Sequence, residues 1–108
     1  MIARIWRGAV RLHDGDAYAQ YMRSTGMAGY KSTPGNVLAL MLRRDLDDTC
    51  EFLMISLWES MDSIRAFAGD EPGQAVFYPE DDRFLIERDM TVRHYVVDSA
   101  TDATFPGG

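Results

Sequence analysis

Residues 52–69, FLMISLWESMDSIRAFAG, carry the reading that decides the fold. Phe52 to Trp58 is a run of large apolar and β-branched residues, long enough for a strand and too short for a buried helix. Glu59 follows, and then Ser60, whose hydroxyl suits a helix N-cap. Met61, Ile64, Phe67 and Ala68 fall on one face of the helix this starts, and Gly69 is placed to end it. The segment is therefore a strand that passes through a serine cap into an amphipathic helix.

Working outward, Val37 to Leu42 (VLALML) reads as the strand before it, and the acidic loop Asp45-Leu46-Asp47-Asp48 makes the two an antiparallel hairpin. Pro34-Gly35-Asn36 turns the chain into that hairpin. Upstream, Ala17, Tyr18, Tyr21 and Met22 keep helical spacing behind Asp14 or Asp16 as N-cap, with Gly26 and Gly29 as the stop. The chain begins with a strand, Ile2 to Val10 (IARIWRGAV), closed by His13-Asp14-Gly15-Asp16. Downstream, a broken helical stretch covers Gln74 to Tyr78, Pro79 restarts it over Glu80 to Glu87, and Thr91 to Val97 (TVRHYVV) is the last strand. The order β-α-β-β-α-β, with one extra short helix, is the ferredoxin-like plan of an α+β protein with an antiparallel sheet.

At 108 residues and 46% hydrophobic content the chain fits one domain. That domain is expected over residues 1–98, with 99–108, small and polar and ending in Pro-Gly-Gly, as a flexible tail. A net charge of -6 offers no basic footprint for a nucleic acid or an anionic membrane. The single cysteine, Cys50, has no disulfide or zinc companion, which suits a reducing cytoplasm. No apolar run approaches the roughly 20 residues that span a bilayer. Two histidines without carboxylates at ligand spacing give no metal signature.

A helix-backed sheet needs only one apolar face, yet Val37, Ala39 and Met41 alternate with Leu38, Leu40 and Leu42, and Phe52, Met54 and Trp58 with Leu53, Ile55 and Leu57. Both faces must be covered. A second copy of the same sheet is the simplest cover, so a homodimer is expected.

With MIARIW at its start, FLMISLWESMDSIRAFAG at its centre and RHYVVD at its end, the chain resembles the antibiotic-biosynthesis-monooxygenase family of dimeric α/β barrels over about residues 1–98. The most telling piece is Trp58-Glu59-Ser60 ahead of its helix. The resemblance implies a ferredoxin-like dimer and, in the quinone-forming members, oxygenation of a small aromatic or polyketide-like phenol or hydroquinone without metal, flavin or other cofactor. Position by position, the family's strand Trp matches Trp58, whereas its Asn falls at Met54, its helix Tyr at Ile64 and its Arg near Tyr78. In the haem-degrading members the Asn, Trp and His that hold the porphyrin would fall at Arg7, Phe67 and Phe77, which argues against haem.

Cofactor-free oxygenation needs a dry pocket, a proton acceptor, and a cation or donor for the resulting anion. Arg7 and Arg93 are candidates for the charge, and His94 and Tyr78 for the proton. Trp58, Tyr78 and Phe67 are candidates for the lining. Each has a plainer reading: Trp58 as a core anchor, His94 as a satisfied strand residue whose face the pattern leaves open, Tyr78 as a surface ring, Arg7 as an ion-paired residue. Alternation puts Arg4 with Trp6 on one face of the first strand, where they pair across the dimer, and Arg7 with Ala3 and Ile5 on the other. If helices cover that second face, Arg7 points inward. Beside the oxygenase stand two alternatives: a non-catalytic binding or structural dimer, and a proton-transfer isomerase or cyclase on the same fold.

Overall fold

The computed structural model describes residues 1–102. The elements run β1 (Ile2–Arg11), a 3₁₀ turn (Leu12–Asp14), α1 (Gly15–Ser24), α2 (Gly26–Ser32), β2 (Asn36–Asp45), β3 (Thr49–Trp58), α3 (Met61–Ala68), α4 (Asp81–Phe84), β4 (Leu85–Arg88) and β5 (Arg93–Val96). The sheet is antiparallel with strand order β2-β3-β1-β4, and β5 also pairs with β1. This is the ferredoxin-like arrangement. The backbone of the plan is β1 against β3, in unbroken register from Ile2 opposite Trp58 to Arg11 opposite Thr49. No helix among the described residues is long and apolar enough to cross a membrane.

The cap between β3 and α3 forms as its residue types require: the Ser63 N–H donates to the Ser60 hydroxyl at 3.2 Å, and Gly69 closes the helix at φ 90°. Three other expectations need correction. The first helix does not stop at Gly26 and Gly29; it breaks at Thr25 and continues as α2 to Ser32. The Thr25 hydroxyl and N–H both donate to the Tyr21 carbonyl, at 2.8 and 3.1 Å, which satisfies that carbonyl through the break. Gly29 lies within α2, where a Cβ would come within 2.8 Å of the Tyr78 hydroxyl and 3.2 Å of the Phe67 ring. Its smallness lets those rings approach the helix.

The helices expected over Gln74 to Tyr78 and Glu80 to Glu87 shrink to the single turn of α4. Leu85 to Arg88 is strand instead, laid on Gly8 to Val10 of β1, because that edge would otherwise carry unpaired backbone groups. The last strand is also shorter than expected, Arg93–Val96 against Ile2–Ile5, although Thr91 bridges Gln74. The fourth sheet position is thus shared by β4 and β5. They part at the level of Trp6, whose indole N–H donates to the Asp89 carbonyl at 2.8 Å. The tail expected at 99–108 lies, from residue 103 onward, outside the described residues.

The two faces of the sheet differ. Helices cover the face that carries Arg4, Trp6 and Val10 of β1 and Cys50, Phe52, Met54, Ser56 and Trp58 of β3, all buried. Tyr18, Met22, Tyr30 and Ile64 pack down onto them from the helices. The other face carries Leu38, Leu40 and Leu42, all exposed, with Leu53, Ile55 and Leu57 opposite them in register. Among the described residues nothing covers it.

Candidate functional site

Between the sheet and the helices lies a small enclosed cavity of about 20 Å³ lined by Arg4, Trp6, Tyr30, Met54, Phe67 and Tyr78, among others. Such a volume admits one water-sized group. Two larger depressions, of about 460 Å³ beside α2 and β2 and about 400 Å³ beside Arg7 and Glu51, are open surface concavities. The chemistry gathers at the small one.

Its wall is aromatic. Trp58 is wholly buried, and its indole N–H donates to Ser56 Oγ at 2.8 Å, so the ring has no further polar demand. Tyr30 meets it edge-on at 6.2 Å between centroids, and Phe67 lies against both rings, at 4.7 Å from Tyr30 and 5.6 Å from Trp58. Into this cage β1 directs Arg4, whose guanidinium stands 5.5 Å over the Phe67 ring.

Arg4 is the unusual residue. It is only 3% exposed, and among the described residues it forms no ion pair with a carboxylate. One guanidinium nitrogen donates to the Gln74 carbonyl at 3.0 Å, and its Nε is buried without a partner. Burial pulls its pKa down, against the opposing pull of Tyr30 and Tyr78, but a guanidinium in a protein keeps its proton. A buried cation with no counter-charge costs folding free energy.

Its neighbours complete the site. His94 of β5 is the direct cross-strand partner of Arg4, and its Nε2 is likewise buried without a partner. Burial lowers its pKa and the charge of Arg4 lowers it further, so the imidazole is neutral near pH 7. Burial pushes the Tyr30 phenol up to about 12, with Arg4 pulling the other way, and the Tyr78 phenol is raised by burial and by the charge of Asp81. Both hydroxyls therefore keep their protons and act as donors. Asp81, itself buried, accepts from the Tyr18 hydroxyl at 3.0 Å and from the Tyr78 N–H at 2.6 Å, which ties the segment carrying Tyr78 to α1.

Of the residues singled out in the sequence, Tyr78 and Phe67 line the cavity, Trp58 backs it, and His94 sits beside Arg4. Arg7 does not join them. It lies on the uncovered face, where its Nε meets Glu51 at 2.6 Å and its Nη1 meets Glu87 at 3.3 Å, while Arg44 holds the second oxygen of Glu51. Arg93, too, is on that face, opposite Ile5. The face assignment of β1 is therefore the reverse of the one that pointed Arg7 inward, and Arg4 takes its place. Tyr30 and Asp81 were also missed. A tyrosine past two glycines and an acid at a helix start carry no sequence signal beyond a loop and a cap.

Neither a family model nor a curated protein matches the sequence. The fold is shared with a candidate antibiotic biosynthesis monooxygenase from Bacillus cereus. The two structures superpose with a TM-score of 0.60, covering 94% of this chain and 97% of the other, at 16% identity. At that identity the likeness concerns the fold. Met54, Trp58 and Ile64 are buried between the sheet and the helices, and Tyr78 lines the cavity there.

Proposed function

We propose that this chain is a cofactor-independent monooxygenase of the antibiotic-biosynthesis type, acting on a small aromatic phenol or hydroquinone in the cavity between sheet and helices. The observation that carries the reading is Arg4, a buried cation without a carboxylate, set in a cage of Trp58, Tyr30, Phe67 and Tyr78. An uncompensated charge among aromatic rings suits an aromatic ligand that brings its own negative oxygen.

In this scheme His94, neutral near pH 7, takes the phenol proton and Arg4 holds the phenolate. The electron-rich ring passes one electron to molecular oxygen, and the radical pair combines at a hydrogen-bearing ring carbon to a peroxide anion, which takes the proton back from His94 as a hydroperoxide. Loss of water from that carbon leaves a quinone carbonyl: one oxygen atom enters the ring, the other leaves as water, and oxygen is the oxidant. The protein orients the ring, excludes bulk water and moves the proton. Oxygen consumption with dihydroxynaphthalenes and anthrones, in wild type and in Arg4→Ala and Trp58→Phe, tests the reading. Uptake above the buffer rate, falling at least about 10-fold in Arg4→Ala, supports it; wild-type protein that consumes no oxygen with any of them sinks it.

The uncovered sheet face supports a homodimer, with Leu38, Leu40, Leu42 and Ile55 meeting their counterparts. A second reading, a non-catalytic structural dimer, draws on two observations: the cavity is nearly filled by side chains, and Arg7 is ion-paired. Ligand pockets commonly measure about 300–1,000 Å³. A bicyclic substrate therefore enters only if Tyr78 and Val76, carried on the irregular segment between α3 and α4, swing outward. The oxygen measurement separates the two readings.

A further inference from the structure

Two basic side chains stand side by side on the covered face of the sheet with no acid between them. Arg4 and His94 are direct partners in the β1–β5 register and leave the same face. Directly opposed residues of an antiparallel pair hold their Cβ atoms about 4.5–5.5 Å apart, a spacing at which like charges repel. Each carries a nitrogen that is buried and makes no hydrogen bond: Nε of Arg4 and Nε2 of His94. A buried polar nitrogen with nothing to bond costs more than one left in water. Two orphans at one cross-strand position, a donor on Arg4 and the basic nitrogen of a neutral His94, point to a missing acidic group that both share.

We propose that Arg4 and His94 are two halves of one anion seat, that the ligand's acidic oxygen lies between them, and that filling the seat places a proton on His94. The inference rests on the cavity invoked for oxygenation, but it concerns the charge state of the bound ligand and holds with or without oxygen chemistry. In the empty site burial, and then the charge of Arg4, keep His94 neutral. An anion on Arg4 cancels that charge and offers His94 an acceptor for a protonated nitrogen. A phenol thus binds with its proton transferred to His94 and none released to solvent, whereas a preformed carboxylate draws one proton from solvent. The uncharged groups facing the pair are the Tyr30 phenol from α2, the Tyr78 phenol, the Gln74 carbonyl and Ser56, opposite Arg4 on β3; the one acid lining the same cavity is Asp81, whose oxygens are taken by the Tyr18 hydroxyl and the Tyr78 N–H. Along the strands the next partners on this face, Ile2 and Val96, are apolar.

The test is an anaerobic titration of the full chain followed by NMR at the two imidazole Cε1–H signals, with and without 1-naphthoate, whose carboxylate stays ionised throughout. His13, in the 3₁₀ turn and largely exposed, is the internal control. Saturation with naphthoate is expected to raise the His94 midpoint by more than one pH unit and to leave His13 where it was. In Arg4→Gln the free His94 midpoint should rise on its own, and naphthoate should bind at least 10-fold more weakly; Arg4→Lys, which keeps the charge, should recover part of the affinity. Naphthoate that binds without moving His94, or that does not bind, overturns the seat. The oxygenase reading is judged separately, by oxygen uptake with hydroquinones, so either idea can fail while the other stands.

Discussion

Arg4 and Arg7 leave the same strand on opposite faces and meet opposite fates. Arg7 sits on the uncovered face in an ion-pair network with Glu51, Glu87 and Arg44, where water still reaches the charges. Arg4 is sealed beneath the helices with aromatic rings and a carbonyl for company. An arginine satisfied by acids is explained by stability alone. One buried without them is a cost that stability does not explain, and that difference singles out the covered face as the place to look for function.

The largest effect expected from either face is at the aromatic wall. Trp58→Ala should cost about 3–5 kcal/mol in urea unfolding, because the ring is wholly buried against Tyr30 and Phe67 and its loss leaves a void. A cost under about 1 kcal/mol would mean that the wall can collapse and does not hold the cavity open.

Arg4→Met comes next and carries the contrast. Replacing a lone buried charge with an apolar side chain of similar length should leave the protein as stable as before, or about 1–2 kcal/mol more stable, while oxygen uptake is lost. Unfolding that shows a loss of stability instead would place Arg4 among the structural residues and erase its difference from Arg7.

Arg7→Ala is expected to be the mildest, about 1 kcal/mol at neutral pH with oxygen uptake unchanged. Its effect should depend on acid. Hydrogen bonds from Arg44 and then Arg7 hold the Glu51 carboxyl below its usual range, so the network stabilises the protein above that range and fades as pH falls through the lowered folded value. The gap between wild type and Arg7→Ala in urea midpoints should therefore narrow as the pH is lowered from 6 toward 3. A constant gap would show that the ion pair contributes nothing.

Much of the fold was legible because strong local signals agreed. The apolar run of β3, the Ser60 cap and the Gly69 stop are each written in a short stretch of sequence, and the structure keeps all three. The segment from Gln74 to Glu87 carries a broken helical pattern and is mostly not helix, because the free edge of β1 recruits Leu85 to Arg88 as a strand. A helical pattern of a few residues is a weak preference beside a row of backbone groups that need partners. Of the residues around the candidate cavity, the sequence singled out Trp58, Phe67, Tyr78 and His94 and passed over Arg4, whose face its pattern left open.

By itself, then, the sequence determined the order of elements as far as Gly69, the hairpin, the capped helix and the pairing of Arg4 with Trp6 against Arg7 with Ile5, since alternation along a strand is a property of the chain alone. Only the tertiary structure decided which of those two faces the helices cover. The central strands are apolar on both sides, so their pattern has no phase to read, and packing α1, α2 and α3 onto one side sets it. That single choice buried Arg4 without an acid, left Arg7 with two, and brought His94 in from the far end of the chain to stand beside Arg4.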